Sequence, residues 1–137
     1  MRTAVDSSVL IDVLGQDPVF WERSRDALAV AYDTGALIAC EIVWAEVRAY
    51  FVVQEDFTDA MRGIGLGFEP LSAQAAMVAG QLWQEYRRQA RGVRTRIVSD
   101  YLIGAHALVH ADSLLTRDRG FYRSYFRGLT LIDPTQE

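Results

Sequence analysis

Four carboxylates far apart in sequence, Asp6, Glu46, Asp100 and Asp118, are the groups in this chain best placed to do chemistry together. Asp6 ends the short apolar run Thr3 to Val5, and Asp118 lies just past Ser113 to Thr116; both runs read as strands. Glu46 falls about one turn into the helix after a second strand, and Asp100 opens another helix. In open parallel sheets ligands sit beyond the carboxyl ends of the strands. If these elements build such a sheet, the four acids converge on one cleft, whereas Asp112, before its strand, points to the opposite end. Four uncompensated carboxylates repel one another and are pushed towards protonation. A divalent cation resolves that conflict, and all-oxygen ligation favours Mg²⁺ or Mn²⁺ over zinc. The chemistry this suits is attack on a phosphodiester, whose own oxygens repel a nucleophile until cations shared with carboxylates remove the obstacle and acidify a water. Asp6, Asp100 and Asp118 are the candidate ligands, with Glu46 a ligand or base.

Each acid taken singly also has an ordinary explanation. Asp6 suits a turn or helix cap, Asp100 complements a helix dipole, and Asp118 can cap the helix that follows it. A glutamate on an exposed helical face is commonplace, and Glu41 competes with Glu46 for the role. What favours a shared site is that three of the four fall at one edge of one expected sheet.

Competing chemistries find little support. All 14 Lys+Arg residues are arginine, which removes the phosphate-gripping lysine of a P-loop and Schiff-base catalysis. The two histidines, His106 and His110, lie on one expected helix without a zinc signature, and His106 reads as a packed helix residue. Cys40 is the single cysteine, sits among apolar residues and reads as a buried, inert thiol.

A substrate carrying negative charge into an acidic cleft requires cations on the rim. Arg87, Arg88, Arg91, Arg94 and Arg96 crowd one helix end and the loop leading to Asp100, where guanidinium forks could hold phosphates. Arg117 and Arg119 flank Asp118 as alternative contacts. A solvated charge run explains the cluster equally well in isolation. The aromatics Phe20, Trp21, Trp44, Tyr50 and Phe51 read first as core and, where exposed, as a groove for a partner's amphipathic segment.

The elements that must position these groups follow from periodicity and punctuation. Expected strands cover Thr3 to Val5, Ala36 to Cys40, Phe68 to Leu71, Ser113 to Thr116 and Leu129 to Ile132. Expected helices cover Ser7 to Leu14, Pro18 to the stop at Gly35, Ile42 to Val53, Asp56 to Ile64, Ser72 to Gln89, Ser99 to His110 and Gly120 to Phe126, with Ser7 and Ser72 as caps. Strands alternating with helices predict a three-layer α/β/α sandwich around a mainly parallel sheet. At 137 residues, half of them hydrophobic and without a linker or repeat, the chain reads as one domain over 1–137. The N-terminus does not fit a secretory signal and no apolar run approaches a bilayer span, so a cytoplasmic protein with no membrane partner is expected. The net charge of −4 argues against a uniformly basic coat and leaves room for a local basic patch.

At this point the segments resemble a known family. Ala4-Val5-Asp6-Ser7-Ser8-Val9-Leu10-Ile11-Asp12 resembles the opening of PIN-domain ribonucleases, and Trp44-Ala45-Glu46-Val47-Arg48 their second acidic motif. Ser99-Asp100-Tyr101-Leu102-Ile103-Gly104-Ala105-His106-Ala107-Leu108 is similar to the third. Leu114-Leu115-Thr116-Arg117-Asp118-Arg119-Gly120-Phe121-Tyr122, followed by Leu131-Ile132-Asp133-Pro134, looks like the closing segment. By size and motif style the nearest subgroup is the VapC-type toxins of bacterial toxin–antitoxin pairs. The resemblance implies an Mg²⁺- or Mn²⁺-dependent endoribonuclease, hydrolysing RNA by metal-activated water, held inactive by a cognate antitoxin and forming a homodimer. It carries the acidic quartet onto Asp6, Glu46, Asp100 and Asp118, with Thr116 and Ser7 as supporting hydroxyls. The part of Asp12 stays open, solvating its helix being the plain reading. RNA as the substrate comes from the resemblance alone. Two other classes remain compatible with the residues: a non-catalytic α/β binding module with a structural cation, and a metal-dependent small-molecule phosphatase.

Overall fold

A computed structural model describes residues 1–89 and 97–136. Its strands are β1 (Arg2–Val5), β2 (Ala36–Ala39), β3 (Leu66–Phe68), β4 (Ser113–Leu115) and β5 (Thr130–Ile132). The helices are α1 (Ser7–Leu14), α2 (Trp21–Thr34), α3 (Glu41–Arg48), α4 (Gln54–Ile64), α5 (Ala73–Gln89), α6 (Val98–His110) and α7 (Arg119–Tyr125). Every strand pair is parallel and the order is β3-β2-β1-β4-β5, which makes the expected α/β sandwich. The inner strands β1, β2 and β4 are apolar and buried almost throughout, as parallel strands covered on both faces must be.

Strand order locates a functional edge more sharply than sequence does. From β1 the chain moves outwards through β2 to β3, then crosses back to place β4 on the other side of β1. Ala4 pairs with Ile38 on one flank and Leu114 on the other. The reversal between β1 and β4 is a topological switch point, where diverging crossovers leave a crevice above the strand ends. Asp6 follows β1 and Asp118 follows β4, so both stand at that crevice.

Several boundaries differ from expectation for local reasons. The helix expected from Pro18 begins at Trp21, because Asp17 Oδ1 accepts hydrogen bonds from the Val19 and Phe20 N–H groups and holds a turn there. The helix expected to reach Val53 ends at Arg48: the Tyr50 and Phe51 N–H groups bond to Val47 and Arg48 carbonyls, and Arg48 donates to the Phe51 carbonyl at 2.8 Å. The third strand is displaced N-terminally, to Leu66–Phe68, because Gly65 takes a left-handed φ of 78° that ends α4 and lets the chain extend at once. Ser7 is the first helical residue of α1 rather than its cap; Asp6 occupies the cap position, its side chain making no capping bond. Ser72 does cap α5, accepting from the Ala75 N–H at 3.1 Å.

Below the crevice an aromatic cluster locks α5, α6 and α7 together. Fully buried Tyr101 on α6 meets Trp83 and Tyr86 of α5 and Phe121 and Tyr125 of α7, ring centroids 5.1 to 5.8 Å away. Gly104, one turn on, lies against Phe126, and a Cβ there would stand 2.5 Å from two of its ring carbons. Since Phe126 is itself buried, Gly104→Ala should lower stability by about 1–3 kcal/mol through overpacking. A urea midpoint equal to that of the parent would show that the ring has room to move.

Candidate active site

Asp6 is the buried centre of the site, 6% exposed. Its Oδ2 accepts a hydrogen bond of 2.7 Å from the Thr116 hydroxyl, which in turn accepts from the Asp118 N–H at 2.9 Å. One threonine therefore fixes the rotamer of the first acid and the turn that carries the fourth. The Ser7 hydroxyl lies 3.1 Å from Glu46 Oε1 and 3.4 Å from Asp6 Oδ1, placing it between two carboxylates as their shared donor. Glu46 reaches this point because α3 starts directly from the end of β2. Glu41, its competitor in sequence, is occupied elsewhere: its Oε1 accepts from the Leu71 N–H at 2.8 Å.

Asp100 comes to the same edge on the first turn of α6. Its Oδ2 lies 3.4 Å from the Ile97 N–H, half of a capping box that Ile97, lacking a polar side chain, cannot reciprocate. Its charge is felt at Glu46. Burial pushes the Asp6 carboxyl up to about 6, with Glu46 and Asp118 adding to the effect, against the hydrogen bonds of Thr116 and the Ser7 N–H. Glu46 is raised by burial and by Asp100, against the Ser7 bond.

Tyr122 feels the charge of all four acids. This buried phenol on α7 is pushed up by burial first, then by Asp6, Asp100, Asp118 and Glu46 together, so it stays protonated beneath them. In sequence it stands within the closing motif, Leu114 to Tyr122, without an assigned role. The available signal was its position four residues after Asp118, one helical turn on.

The donor set suits a hard divalent cation: all oxygen, and with one buried carboxyl that the hydrogen bonds of Thr116 and the Ser7 N–H do not bring back to its ordinary value. Among the described residues no three acids already form a closed ligand cage. Such a set fits an ion that keeps part of its water shell and takes only one or two direct carboxylates, as Mg²⁺ does.

The cationic rim differs from expectation at Arg117. Its Nε and terminal nitrogen grip Asp12 at 2.6 and 3.0 Å, and its guanidinium lies 4.1 Å over the Phe20 ring. Asp12, expected as a solvated acid, is 1% exposed and also accepts from Ser24 at 2.8 Å. Arg117 is thus committed to joining the turn after β4 with α1 and α2. Arg87 and Arg88 are exposed at the end of α5; the Tyr86 ring, 5.8 Å from Tyr101, sets that end beside the start of α6. Arg91, Arg94 and Arg96 lie outside the described residues, and Arg119 is half-buried at the start of α7.

Of the aromatics, Trp44 stands edge-on to Phe57 and Phe68, Phe51 packs on Phe57, and Tyr50 is exposed. His106 is buried, as is Cys40, whose thiol burial pushes up.

A family model described as PIN domain matches residues 3–127. No curated protein matches the chain. Among solved structures, VapBC2 from Rickettsia felis bound to a promoter DNA fragment superposes with TM-score 0.72 at 19% identity, over 97% of this chain and 98% of that one. DNA-bound VapBC from Salmonella typhimurium gives 0.72 at 19%, over 98% of each chain. A toxin–antitoxin complex from Klebsiella pneumoniae gives 0.68 at 19%, over 98% of this chain and 99% of that one. At these identities the likeness is one of fold.

Proposed function

The chain belongs to the PIN-domain family, and on that footing we propose that it is an Mg²⁺- or Mn²⁺-dependent endoribonuclease, the VapC-type toxin of a toxin–antitoxin pair. The observation that carries this reading is the hydrogen-bonded placement of acids at the β1/β4 switch point, where Thr116 joins Asp6 to the Asp118 turn and Ser7 lies between Asp6 and Glu46. Asp6, Asp100 and Asp118 would hold the cation, with Glu46 beside them. Once bound, the cation supplies charge neutralisation at the scissile phosphate and lowers the pKa of water.

The protein's own groups do the rest. Thr116 holds Asp6 Oδ2, and the Ser7 hydroxyl lies 3.4 Å from Oδ1, so the carboxylate is kept in one orientation. Ser7 donates to Glu46 Oε1 and leaves Oε2 to take a proton from the attacking water. The raised pKa of Glu46 brings it nearer to neutrality, where a general base works best. Arg87, Arg88 and Arg119 are the described cations placed to meet flanking phosphates, while Arg117 keeps the Asp118 turn in place. Arg91, Arg94 and Arg96 belong to this reading by sequence.

A cognate antitoxin, a homodimer and a cytoplasmic site of action are parts of the same reading. It is supported by the toxin–antitoxin and VapBC complexes among the structural neighbours. No helix among the described residues is long and apolar enough to cross a membrane.

The test is cleavage by partner-free protein of a single-stranded RNA and of a DNA strand of the same sequence. RNA should be cut with Mg²⁺ or Mn²⁺, cutting should stop with EDTA and resume on metal addition, and the DNA should survive. Cleavage that persists in EDTA, or RNA left intact in either metal, overturns the reading.

A further inference from the structure

On the outer flank of α7 is a cavity of about 500 Å³ whose walls include Arg119, Arg123 and Arg127. Arg119 and Arg123 are four residues apart and so share one face of the helix, about 6 Å apart along its axis. Arg127 follows just beyond the helix end, where Gly128, at φ 88°, turns the chain back towards β5. None of the three arginines makes an ion pair with a described residue. The one acid in the wall among the described residues, Asp133, accepts instead from the Thr135 N–H and hydroxyl at 2.8 and 2.6 Å. Three guanidinium groups around one cavity, none paired with an acid among the described residues, concentrate positive charge in a chain of net charge −4. Arg119 makes the point most clearly: it is the first residue of α7, the helix end that disfavours a cation.

Two of the cavity's lining residues lie at the sheet edge that carries the acids. Arg119 directly follows Asp118, and Asp133 lies just past the carboxyl end of β5, the edge to which Asp6 and Asp118 project. From there the wall runs down to Gly128 and Leu129, at the far end of β5. A strand whose scissile phosphate sits among the four acids would leave along this flank and meet the three arginines in turn.

We propose that Arg119, Arg123 and Arg127 form a second phosphate-binding site, a cradle for the backbone of the RNA strand beyond the cleaved bond. This rests on the ribonuclease reading for its ligand. Guanidinium forks matched to phosphate oxygens give such a site affinity without base preference, so it extends the footprint of the enzyme rather than choosing its sequence.

The experiment measures binding of polyuridylate to the full chain as a function of salt, in an Asp6→Asn background that prevents turnover. Arg123→Gln/Arg127→Gln should reduce the salt slope by about 0.7 for each lost contact, so that Kd rises about sevenfold less than in the parent between about 50 and 200 mM salt. Arg123→Lys/Arg127→Lys should retain most of the slope, which separates charge from fold, and matching melting curves check the latter. An unchanged slope in the Gln variant overturns the cradle. So does an unchanged slope accompanied by weakened binding of an acidic protein partner, which would assign the pocket to that partner. Cleavage assays on protein with an intact Asp6 keep the two readings apart. RNA cleavage with an unchanged slope sinks the cradle alone, whereas a reduced slope without cleavage in the parent sinks the nuclease reading and leaves an anion site.

Discussion

Asp6→Asn should lower kcat/KM for RNA by at least about a thousandfold, on the order of 4 kcal/mol of barrier, while making the metal-free protein more stable at neutral pH. The two effects share a cause. Burial and the neighbouring charges of Glu46 and Asp118 hold the Asp6 carboxyl at about 6 against an ordinary value of 3.8, so the folded state binds a proton that the unfolded chain has already released. Stability from this group is fully present below about pH 4 and is lost as pH rises through about 6, up to about 3 kcal/mol. Asparagine preserves an oxygen for the Thr116 hydroxyl and removes the charge, so this pH dependence should flatten and the variant should exceed the wild type above pH 6. Urea midpoints on metal-free protein at about pH 4.5 and 7.5 measure both claims. A variant less stable than wild type at the higher pH would recast Asp6 as a structural acid.

Arg117→Ala should be the most damaging single change to the fold, by about 3–5 kcal/mol, because it leaves the Asp12 carboxylate buried without its cation. It also removes the plane packed on Phe20 and loosens the turn from which Asp118 projects. Arg117→Lys should recover only part of the loss, since an ammonium cannot reproduce the two-pronged grip on Asp12. Removing both partners, as Asp12→Ala/Arg117→Ala, should be milder than the sum of the single changes. If Arg117 were a phosphate contact instead, its loss would weaken RNA binding and leave the urea midpoint where it was.

How far these features could be read without a structure depended on whether their cause was local. Asp6 and Asp118 were legible because an acid directly after an apolar strand in a parallel sheet has one edge to occupy. Choosing Glu46 over Glu41 was not a matter of spacing alone: both lie on the same helix, and what separates them in the structure is a bond from Glu41 to the Leu71 N–H, 30 residues away. The Asp12–Arg117 pair was not legible for the same reason: its members are 105 residues apart, so the sequence leaves the part of Asp12 open and offers Arg117 as an alternative phosphate contact. Displaced boundaries at Trp21, Arg48 and Leu66 trace to short turns, in which a single side-chain or glycine conformation outweighs periodicity. Strand order lay beyond periodicity altogether, because strands of three or four residues carry no mark of which neighbour they will choose.

The central place of β1 has a consequence for when activity can begin. This strand and Asp6 are synthesised before the rest of the sheet, yet the Asp6 N–H bonds to the Leu115 carbonyl and its carboxylate to the Thr116 hydroxyl, about 110 residues later. Contacts so distant in sequence form late, after the intervening loop entropy has been overcome. A nascent chain can therefore fold its first helices while its first acid still lacks the partner that orients it. The candidate site therefore stays unfinished on a nascent chain until β4 and the turn that follows it have emerged.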